Sequence, residues 1–216
     1  MPETPTLVFV VDDDPTVREA LSNLVRSVGL TVQVFSSASE FLSRRPVDVT
    51  CCLVLDVRLP GLSGLDLQHE LQGMGTEIPI IFMSGYGDIP MTVRAMKAGA
   101  IEFLPKPFRE QDLLDAIRQA LDRATAARTR RGELAAVRKR FASLTSRERE
   151  VMDALLKGML NKQVAAELGI TEITVKVHRR RVMEKMGAAS LVELAQNVAN
   201  LHTADGQDGE TGETYT

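Results

Sequence analysis

Hydrophobic residues in the first 122 positions occur in short, β-branched runs, separated by stretches whose apolar positions follow a helical period. The runs predict five strands, at 7–11, 31–35, 51–55, 79–83 and 101–104. The other stretches predict five helices, near 15–28, 38–44, 64–72, 89–98 and 110–122. Nearly continuous apolar strands that alternate with helices are typical of a parallel sheet covered on both faces. Residues 1–122 therefore predict a domain of the α/β doubly wound class.

The pattern beyond this point contains no convincing strand. Residues 123–143 are rich in Ala and Arg and predict a helical linker with a hinge at Gly132. Four short helices are predicted near 146–157, 161–168, 172–186 and 190–201. They make residues 144–202 a small all-α domain. Residues 203–216 are rich in Gly, Thr and acid, lack aliphatic side chains apart from one Ala, and are expected to be disordered.

The formal net charge of −3 conceals a division along the chain. Lys and Arg minus Asp and Glu give −7 for residues 1–122, +8 for 123–202 and −4 for 203–216. An acidic first half joined to a basic second half favours two domains with different partners, the basic one facing nucleic acid. A basic surface that is merely solvated is the alternative that charge alone leaves open.

The longest apolar runs, LVFVV and CCLVL, are far too short to span a bilayer, and the N-terminus lacks the basic and then apolar form of a signal peptide. We therefore expect a cytoplasmic protein without a membrane partner. Cys51 and Cys52 are neighbours in a predicted strand, so their side chains point to opposite faces and cannot form a metal cluster unaided. Buried free thiols are the predicted state, which suits a reducing compartment.

Three adjacent carboxylates end the first predicted strand, in the stretch VFVVDDDP. Asp14 followed by Pro15 predicts the N-cap and first turn of a helix. Asp12 and Asp13 then lie at the carboxyl end of a buried strand, where paired negative charge is unfavourable without a cation or hydrogen-bond donors. This stretch by itself leaves turn chemistry and a metal or phosphate site equally open.

Polar side chains also follow three other predicted strands: Asp56 after the third, Ser84 after the fourth and Lys106 after the fifth. Parallel strands bring such positions to one edge of the sheet, where ligands bind in doubly wound folds. Asp12, Asp13 and Asp56 offer the oxygen ligands that Mg²⁺ prefers. The ion would leave Asp56 placed as a nucleophile toward a phosphoryl group, whose oxygens Lys106 and Ser84 would bind.

The same stretches resemble the receiver domain of two-component response regulators, through Asp-Asp after strand one, LVLDVRLPGLSG, a hydroxyl after strand four and KPF after strand five. The resemblance covers about residues 1–122 and implies the flavodoxin-like strand order 2-1-3-4-5. The family more often has Thr where Ser84 stands. The implied roles are a phosphoacceptor at Asp56, an Mg²⁺ site at Asp12, Asp13 and Asp56, phosphoryl contacts from Ser84 and Lys106, a switch formed by Ser84 and Phe103, and a cis bond between Lys106 and Pro107.

The segment from 144 to 186 predicts two helices joined by a turn, with Gly169 as C-cap of the first and Thr171 as N-cap of the second. This is the form of a helix-turn-helix. The second helix, at about 100° per residue, has a core face and an opposite face. The core face is predicted to contain Val175, Val182 and Met186, and the opposite face Ile173, Lys176, Val177 and Arg180. Cations beside aliphatic groups suit the major groove of DNA.

LTSREREV, NKQVAAELGI and TVKVHRRRVMEKM resemble the LuxR-type DNA-binding domain, and the chain as a whole is similar to the FixJ/NarL group of transcriptional regulators, closest to the FixJ branch. The resemblance implies base contacts from Lys176, Val177 and Arg180, and phosphate contacts from His178 and Arg179. The angular positions leave the last two open, because both border the core face.

The two resemblances together imply a transcription regulator that is switched by phosphorylation and is not an enzyme. A sensor histidine kinase would phosphorylate Asp56, which would draw Ser84 inward and let Phe103 bury itself. The reshaped surface of the helix at 89–98 and strand five would pair two copies on double-stranded DNA, with RNA polymerase as a further partner. Two alternatives are a Mg²⁺-dependent phosphohydrolase, which Arg58 in place of a second Asp disfavours, and a signalling module that works through protein contacts.

Overall fold

The computed structural model describes residues 6–45, 47–85 and 89–207, with side chains up to Thr203. The chain divides into two compact units, residues 1–128 and 129–216. This boundary falls inside the segment for which the sequence predicts a linker. Most of the tail that is expected to be disordered, from residue 208 onward, lies outside the described residues.

The first unit is built on a five-stranded sheet with helices between its strands. Its strands are β1 (Thr6–Val11), β2 (Thr31–Phe35), β3 (Thr50–Asp56), β4 (Ile80–Ser84) and β5 (Glu102–Pro105). Its helices are α1 (Pro15–Ser27), α2 (Ala38–Ser43), α3 (Gly64–Gly73) and α4 (Ile89–Lys97), and α5 (Glu110–Ala142) follows β5. Neighbouring strands are parallel, in the order β2-β1-β3-β4-β5. The predicted fold class and strand order are confirmed.

Both faces of the sheet are buried, as nearly continuous apolar strands predict. One face packs Phe9, Leu53 and Phe82 and the other packs Val8, Val54 and Ile81. Cys51 lies against the first of these clusters and Cys52 in the second, and neither forms a disulfide. The prediction that they point to opposite faces is confirmed. Burial strongly raises the pKa of the Cys52 thiol, with a smaller contribution from its neighbour Cys51.

Helix α5 runs without interruption from Glu110 to Ala142, so the predicted hinge at Gly132 is wrong. A glycine inside a helix costs about 1 kcal/mol relative to alanine. The surrounding Ala, Arg, Leu and Glu residues are strong helix formers, which offsets that cost. Despite the length of α5, no helix in the described part of the chain is both long and apolar enough to cross a membrane.

The second unit contains, after the end of α5, four further helices in its described part: α6 (Ser146–Leu156), α7 (Asn161–Leu168), α8 (Glu172–Met186) and α9 (Leu191–Gln207). Gly169 ends α7 in the left-handed conformation, at φ 63°, and Thr171 caps α8 through the N–H of Thr174. Both capping predictions are confirmed, and with them the helix-turn-helix formed by α7 and α8. Helix α9 continues to Gln207 and therefore includes the beginning of the segment for which the sequence predicts disorder.

An ion pair between a buried carboxylate and a partly exposed lysine joins the start of α6 to the end of α8. Glu148, which is only 3% exposed, accepts from Lys185 Nζ at 2.6 Å and from the backbone N–H of Thr145 at 2.9 Å. The hydrogen bond from Lys185 contributes most to lowering the pKa of Glu148, and the Thr145 N–H adds to it. The ionised form of Glu148 therefore stabilises the folded second unit.

Replacing Glu148 with Gln is expected to lower the free energy of unfolding of the second unit by about 2 kcal/mol at neutral pH, because a charged hydrogen-bond acceptor is lost from a buried site. A carboxyl group whose pKa is lowered on folding stabilises the fold above its unfolded pKa, near 4.5, and loses that effect as the pH falls through the folded value. Calorimetry of the full chain should therefore show wild type and variant converging in acid. A difference in stability that is independent of pH would contradict this account.

Candidate functional site

The turn after β1 places two carboxylates at the carboxyl edge of the sheet. Asp12 is buried and Asp13 is exposed. Asp12 Oδ1 accepts from the backbone N–H of Asp14 at 2.9 Å, and Asp14 Oδ1 accepts from the N–H of Thr16 at 2.7 Å. Asp14 is therefore the N-cap of α1, as predicted. Capping of α1 explains the presence of Asp14. Asp12 and Asp13 remain at the edge of the sheet without a capping role.

Arg18 fixes this turn from α1. Its Nη1 donates to the carbonyl oxygens of Asp12 at 2.7 Å and Asp13 at 2.9 Å. One guanidinium thus orients the backbone of both acids. The sequence prediction did not include Arg18. The available signal is its position one turn into a helix that begins at the strand end, since helix side chains lean toward the N-terminus.

Asp56 is the last residue of β3 and is buried at the same edge. Its Oδ1 accepts from the backbone N–H of Arg58 at 3.2 Å. The chain then turns into α3, whose first residue, Gly64, donates its N–H to Val57 O at 3.0 Å. A Cβ at Gly64 would clash with the carbonyl oxygen of Asp56 and lie 3.1 Å from Val57 Cα. Only glycine allows α3 to start this close to the end of β3.

Lys106 joins the two buried carboxylates. Its Nζ lies 2.7 Å from Asp12 Oδ2 and 3.2 Å from Asp56 Oδ2. Partial burial would by itself lower the pKa of Lys106, but the hydrogen bond and charge of Asp12, together with Asp56, raise it. Burial raises the pKa of Asp56, although Lys106 and the N–H of Arg58 act against that rise. Lys106 therefore remains a cation at neutral pH, facing two acids that it partly neutralises.

Asp12, Asp13 and Asp56 form a cluster that fits a metal ion. One carboxylate oxygen of each lies within 4.8 Å of the others. Hard oxygen donors of this kind suit a divalent cation such as Mg²⁺, which keeps several waters when few protein ligands bind it. The exposure of Asp13 leaves one side of the cluster open to those waters. The sequence-predicted ligands are thus brought together, and Lys106 contacts two of them.

Ser84 lies on β4, the neighbour of β3, and Phe103 lies on β5, the next strand beyond it. Ser84 ends β4, is fully buried, and accepts at its carbonyl oxygen from the N–H of Lys106 at 2.7 Å. The peptide bond between Lys106 and Pro107 is cis, as the receiver resemblance implied. Phe103 is 8% exposed, with its ring 6.2 Å from that of Phe82. The ring fills the core beside β4 in this structure, and the role of Ser84 and Phe103 as a switch stays a prediction.

The faces of α8 follow the predicted period. Val175, Val182 and Met186 are fully buried. The opposite face is exposed and consists of Ile173 (75% exposed), Lys176, Val177 (45% exposed) and Arg180. Arg180 Nε donates to Glu184 at 2.7 Å, an interaction that the i, i+4 spacing signals. Two cations beside two aliphatic side chains therefore lie on an exposed helix face.

His178 and Arg179 lie at the border between these faces and are half-buried. Nδ1 of His178 is buried and has no hydrogen-bond partner among the described residues. Arg179 Nη1 lies 3.5 Å from Asn161 Oδ1 at the start of α7, the limit of a weak hydrogen bond. Arg179 therefore leans toward the helix-turn-helix interior, and its predicted phosphate contact requires its long side chain to reach out from there.

Two family models match this chain, one on each unit. The response regulator receiver domain matches residues 8–118. The luxR family of bacterial regulatory proteins matches residues 142–198. The first match contains the acidic cluster and Lys106, and the second contains α8 with its exposed face.

Individual proteins are similar over almost the whole chain. Nodulation protein W of Bradyrhizobium diazoefficiens is 56% identical over 88% of this chain and 84% of its own. The transcriptional regulatory protein FixJ of Azorhizobium caulinodans is 45% identical over 91% of this chain and 92% of its own. Among solved structures, the response regulator StyR is 52% identical with a TM-score of 0.83, over 90% of this chain and 98% of that one.

Proposed function

The chain belongs to the response regulators that join a receiver domain to a LuxR-type DNA-binding domain, and from that membership we propose that phosphorylation of Asp56 controls its binding to DNA. The observation that carries this proposal is the position of Lys106 Nζ, within 3.2 Å of both Asp12 and Asp56 at the edge of the sheet. A buried acid held beside a fixed cation and a metal-binding cluster is equipped to accept a phosphoryl group.

Asp56 acts as the nucleophile. One of its carboxylate oxygens bonds to phosphorus as the P–N bond of a phosphohistidine in the partner kinase breaks, and the departing imidazole takes up a proton from water. Lys106 stays protonated and donates to the new phosphoryl oxygens. Asp12, Asp13 and Asp56 would hold Mg²⁺, which when bound offsets negative charge on the phosphoryl group. Arg18 keeps the backbone of the first two acids in place.

The phosphoryl charge acts next on Ser84, whose hydroxyl is drawn toward it, and on the surface formed by α4 and β5 beside Phe103. Helix α4 exposes Ile89, Val93 and Met96, which share one face at i, i+4 and i+7. We assign to this face and β5 the pairing of two phosphorylated copies. The ring of Phe103 is buried in this structure, and we assign the change to the position of α4.

Pairing two copies would place two α8 helices on one duplex at a two-fold-related site. Lys176 and Arg180 are placed to bond base edges, and Val177 to contact a thymine methyl group. His178 and Arg179 are candidates for phosphate contacts at the border of that face. The excess of basic residues in 123–202 supplies the non-specific attraction to phosphate. We propose RNA polymerase as a further partner of the DNA-bound protein.

The test is to phosphorylate purified wild-type protein with Mg²⁺ and a small acyl phosphate, and to measure its mass distribution by sedimentation and its affinity for duplex DNA. Phosphorylation is expected to shift the protein toward dimer and to tighten DNA binding. If an adduct forms and neither quantity changes, phosphorylation is not the switch.

We infer a switch and not a catalyst of small-molecule turnover, because an exposed Arg58 stands two residues after Asp56, where a phosphohydrolase needs a second acid. Sustained hydrolysis of a small phosphate ester, at a rate above that of the aspartyl phosphate itself, would contradict this inference.

Replacing Gly64 with Ala is expected to slow formation of the phosphoryl adduct by about tenfold, since the added Cβ clashes with the carbonyl of Asp56 and must displace it. Gly73→Ala, at the other end of α3, is the matched control because a Cβ there meets nothing within 4 Å. Rates are read by intact mass against time. Equal rates in the two variants would mean that the approach of Gly64 does not position Asp56.

A further inference from the structure

A buried glutamine links α3 to α4. Gln68 is 3% exposed and lies on the inner face of α3, next to Leu67 and Leu71. Its Nε2 donates to the carbonyl oxygen of Ala95, in the last turn of α4, at 3.3 Å and to that of Ala98, the residue after the helix, at 3.0 Å. Burying an amide is costly unless it is hydrogen-bonded, so these two bonds fix where Gln68 and the end of α4 lie relative to each other.

Other bonds hold the same end of α4. Gln72, one turn after Gln68, donates from Nε2 to Ala98 O at 2.6 Å. The N–H of Ala100 donates to Ala95 O at 3.1 Å, and Ala95 itself is fully buried. The carboxyl-terminal turn of α4 is therefore attached both to α3 and to the chain that leads into β5.

The amino-terminal end of α4 is differently placed. It begins at Ile89, which is 80% exposed, shortly after Ser84 at the end of β4. Ser84 is the residue through which the proposed phosphoryl charge acts. The phosphoryl charge is therefore expected to act on the amino-terminal end of α4, and the contacts of Gln68 lie at its other end.

Helix α3 connects Gln68 back to the phosphoacceptor. Gly64 begins α3 against the backbone of Asp56 and Val57, with no space for a Cβ. Leu67 and Leu71 anchor the helix in the core. A helix packed in this way behaves as a rigid body, so α3 keeps the end of α4 at a constant distance from Asp56.

We propose that Gln68 is a positioning residue that makes the carboxyl-terminal turn of α4 a fixed pivot, about which the amino-terminal end turns when Asp56 is phosphorylated. This inference rests on the proposed phosphorylation switch. Val93 and Met96, near the pivot, keep their place, and Ile89 moves furthest. The hydrogen bonds of Gln68 thereby restrict the movement of α4 to one end of the apolar face that pairs two copies.

Amide hydrogen exchange of the full-length wild-type chain, before and after phosphorylation, tests the pivot directly. We expect exchange rates to change in the first turn of α4 and to stay constant at residues 95–100. Equal changes at both ends of α4, or no change in either, overturn the proposal.

Gln68→Met removes two hydrogen bonds from a buried position and keeps the length of the side chain. Gln72→Met is the matched control, which removes one hydrogen bond from an exposed position. Gln68→Met is expected to accept phosphoryl groups as wild type does, while the ratio of dimer affinities with and without phosphorylation falls about tenfold. Gln72→Met should change that ratio much less. A role in stability alone would lower Tm and leave the ratio intact, which would overturn the proposal.

The two levels of failure are distinguishable. A wild-type chain that forms the adduct without any change in dimerisation contradicts the phosphorylation switch. A wild-type chain that responds normally, together with a Gln68→Met variant that responds equally, contradicts only the pivot. If Gln68→Met does not fold, the exchange measurement on wild type decides the question.

Discussion

Replacing Asp56 with Asn is expected to abolish the phosphoryl adduct and, with it, the phosphorylation-dependent gain in DNA affinity. The amide is nearly isosteric with the carboxylate but cannot form a stable bond to phosphorus, and it weakens a cluster that is assembled around three acids. The measurement is intact mass after incubation with Mg²⁺ and a small acyl phosphate, followed by retention on duplex DNA. The expected result is an adduct on wild type and none on the variant.

Asp115→Asn is the matched control for that experiment. Asp115 is an exposed acid on α5 that pairs with Arg118, outside the acidic cluster. The control should be phosphorylated and should bind DNA as wild type does. An adduct of undiminished yield on Asp56→Asn would mean that another side chain accepts the phosphoryl group. The arrangement of Lys106 between Asp12 and Asp56 would then need a different explanation.

Replacing both Lys176 and Arg180 with Ala is expected to weaken sequence-specific DNA binding by at least about 100-fold, since each base contact contributes roughly 1–3 kcal/mol of discrimination. Both cations are exposed on the outer face of α8, so their loss leaves the buried face of the helix intact. The measurement is the Kd for an operator and for unrelated duplex at several salt concentrations. Discrimination between the two duplexes should fall along with affinity.

Arg181→Ala is the control on the same helix, because Arg181 is exposed but lies off the predicted base-reading face. It should lower affinity for both duplexes modestly and leave the discrimination unchanged, as expected of a phosphate or solvated cation. Equal effects of the control and of the double variant would assign the whole loss to net charge. The reading face would then have to lie elsewhere on the second unit.

The strands and the ends of the strands were predictable because burial on both faces leaves a direct pattern in the sequence. In a parallel sheet the residues that directly follow each strand lie at the same edge. The sequence alone could therefore predict that Asp12, Asp56 and Lys106 lie close together. The two faces of α8 were predictable for a similar reason, since a helical period separates Val175 from Lys176 in any packed helix. In each case a local pattern determined the result.

The prediction of a hinge at Gly132 was wrong because a single residue's preference was weighed without its neighbours. The sequence could not decide which way the Phe103 ring points, since an inward and an outward ring on a strand near a site leave the same pattern in the sequence. Arg18 and Gln68 were not predicted at all. Their partners are backbone carbonyl groups, which every residue carries and which therefore leave no mark on the sequence.

The sequence by itself determined which elements form, in which order they occur, and which side chains reach the carboxyl edge of the sheet. These follow from periodicity, capping residues and the handedness of crossovers, all of which act over short distances. Only the tertiary structure decided that Lys106 bridges Asp12 and Asp56, that Gly64 closes on the carbonyl of Asp56, and that Gln68 holds the end of α4. Such contacts join residues far apart in the chain. Whether they form depends on interatomic distances that must be right to within a few tenths of an ångström, and the packing of the whole domain sets those distances.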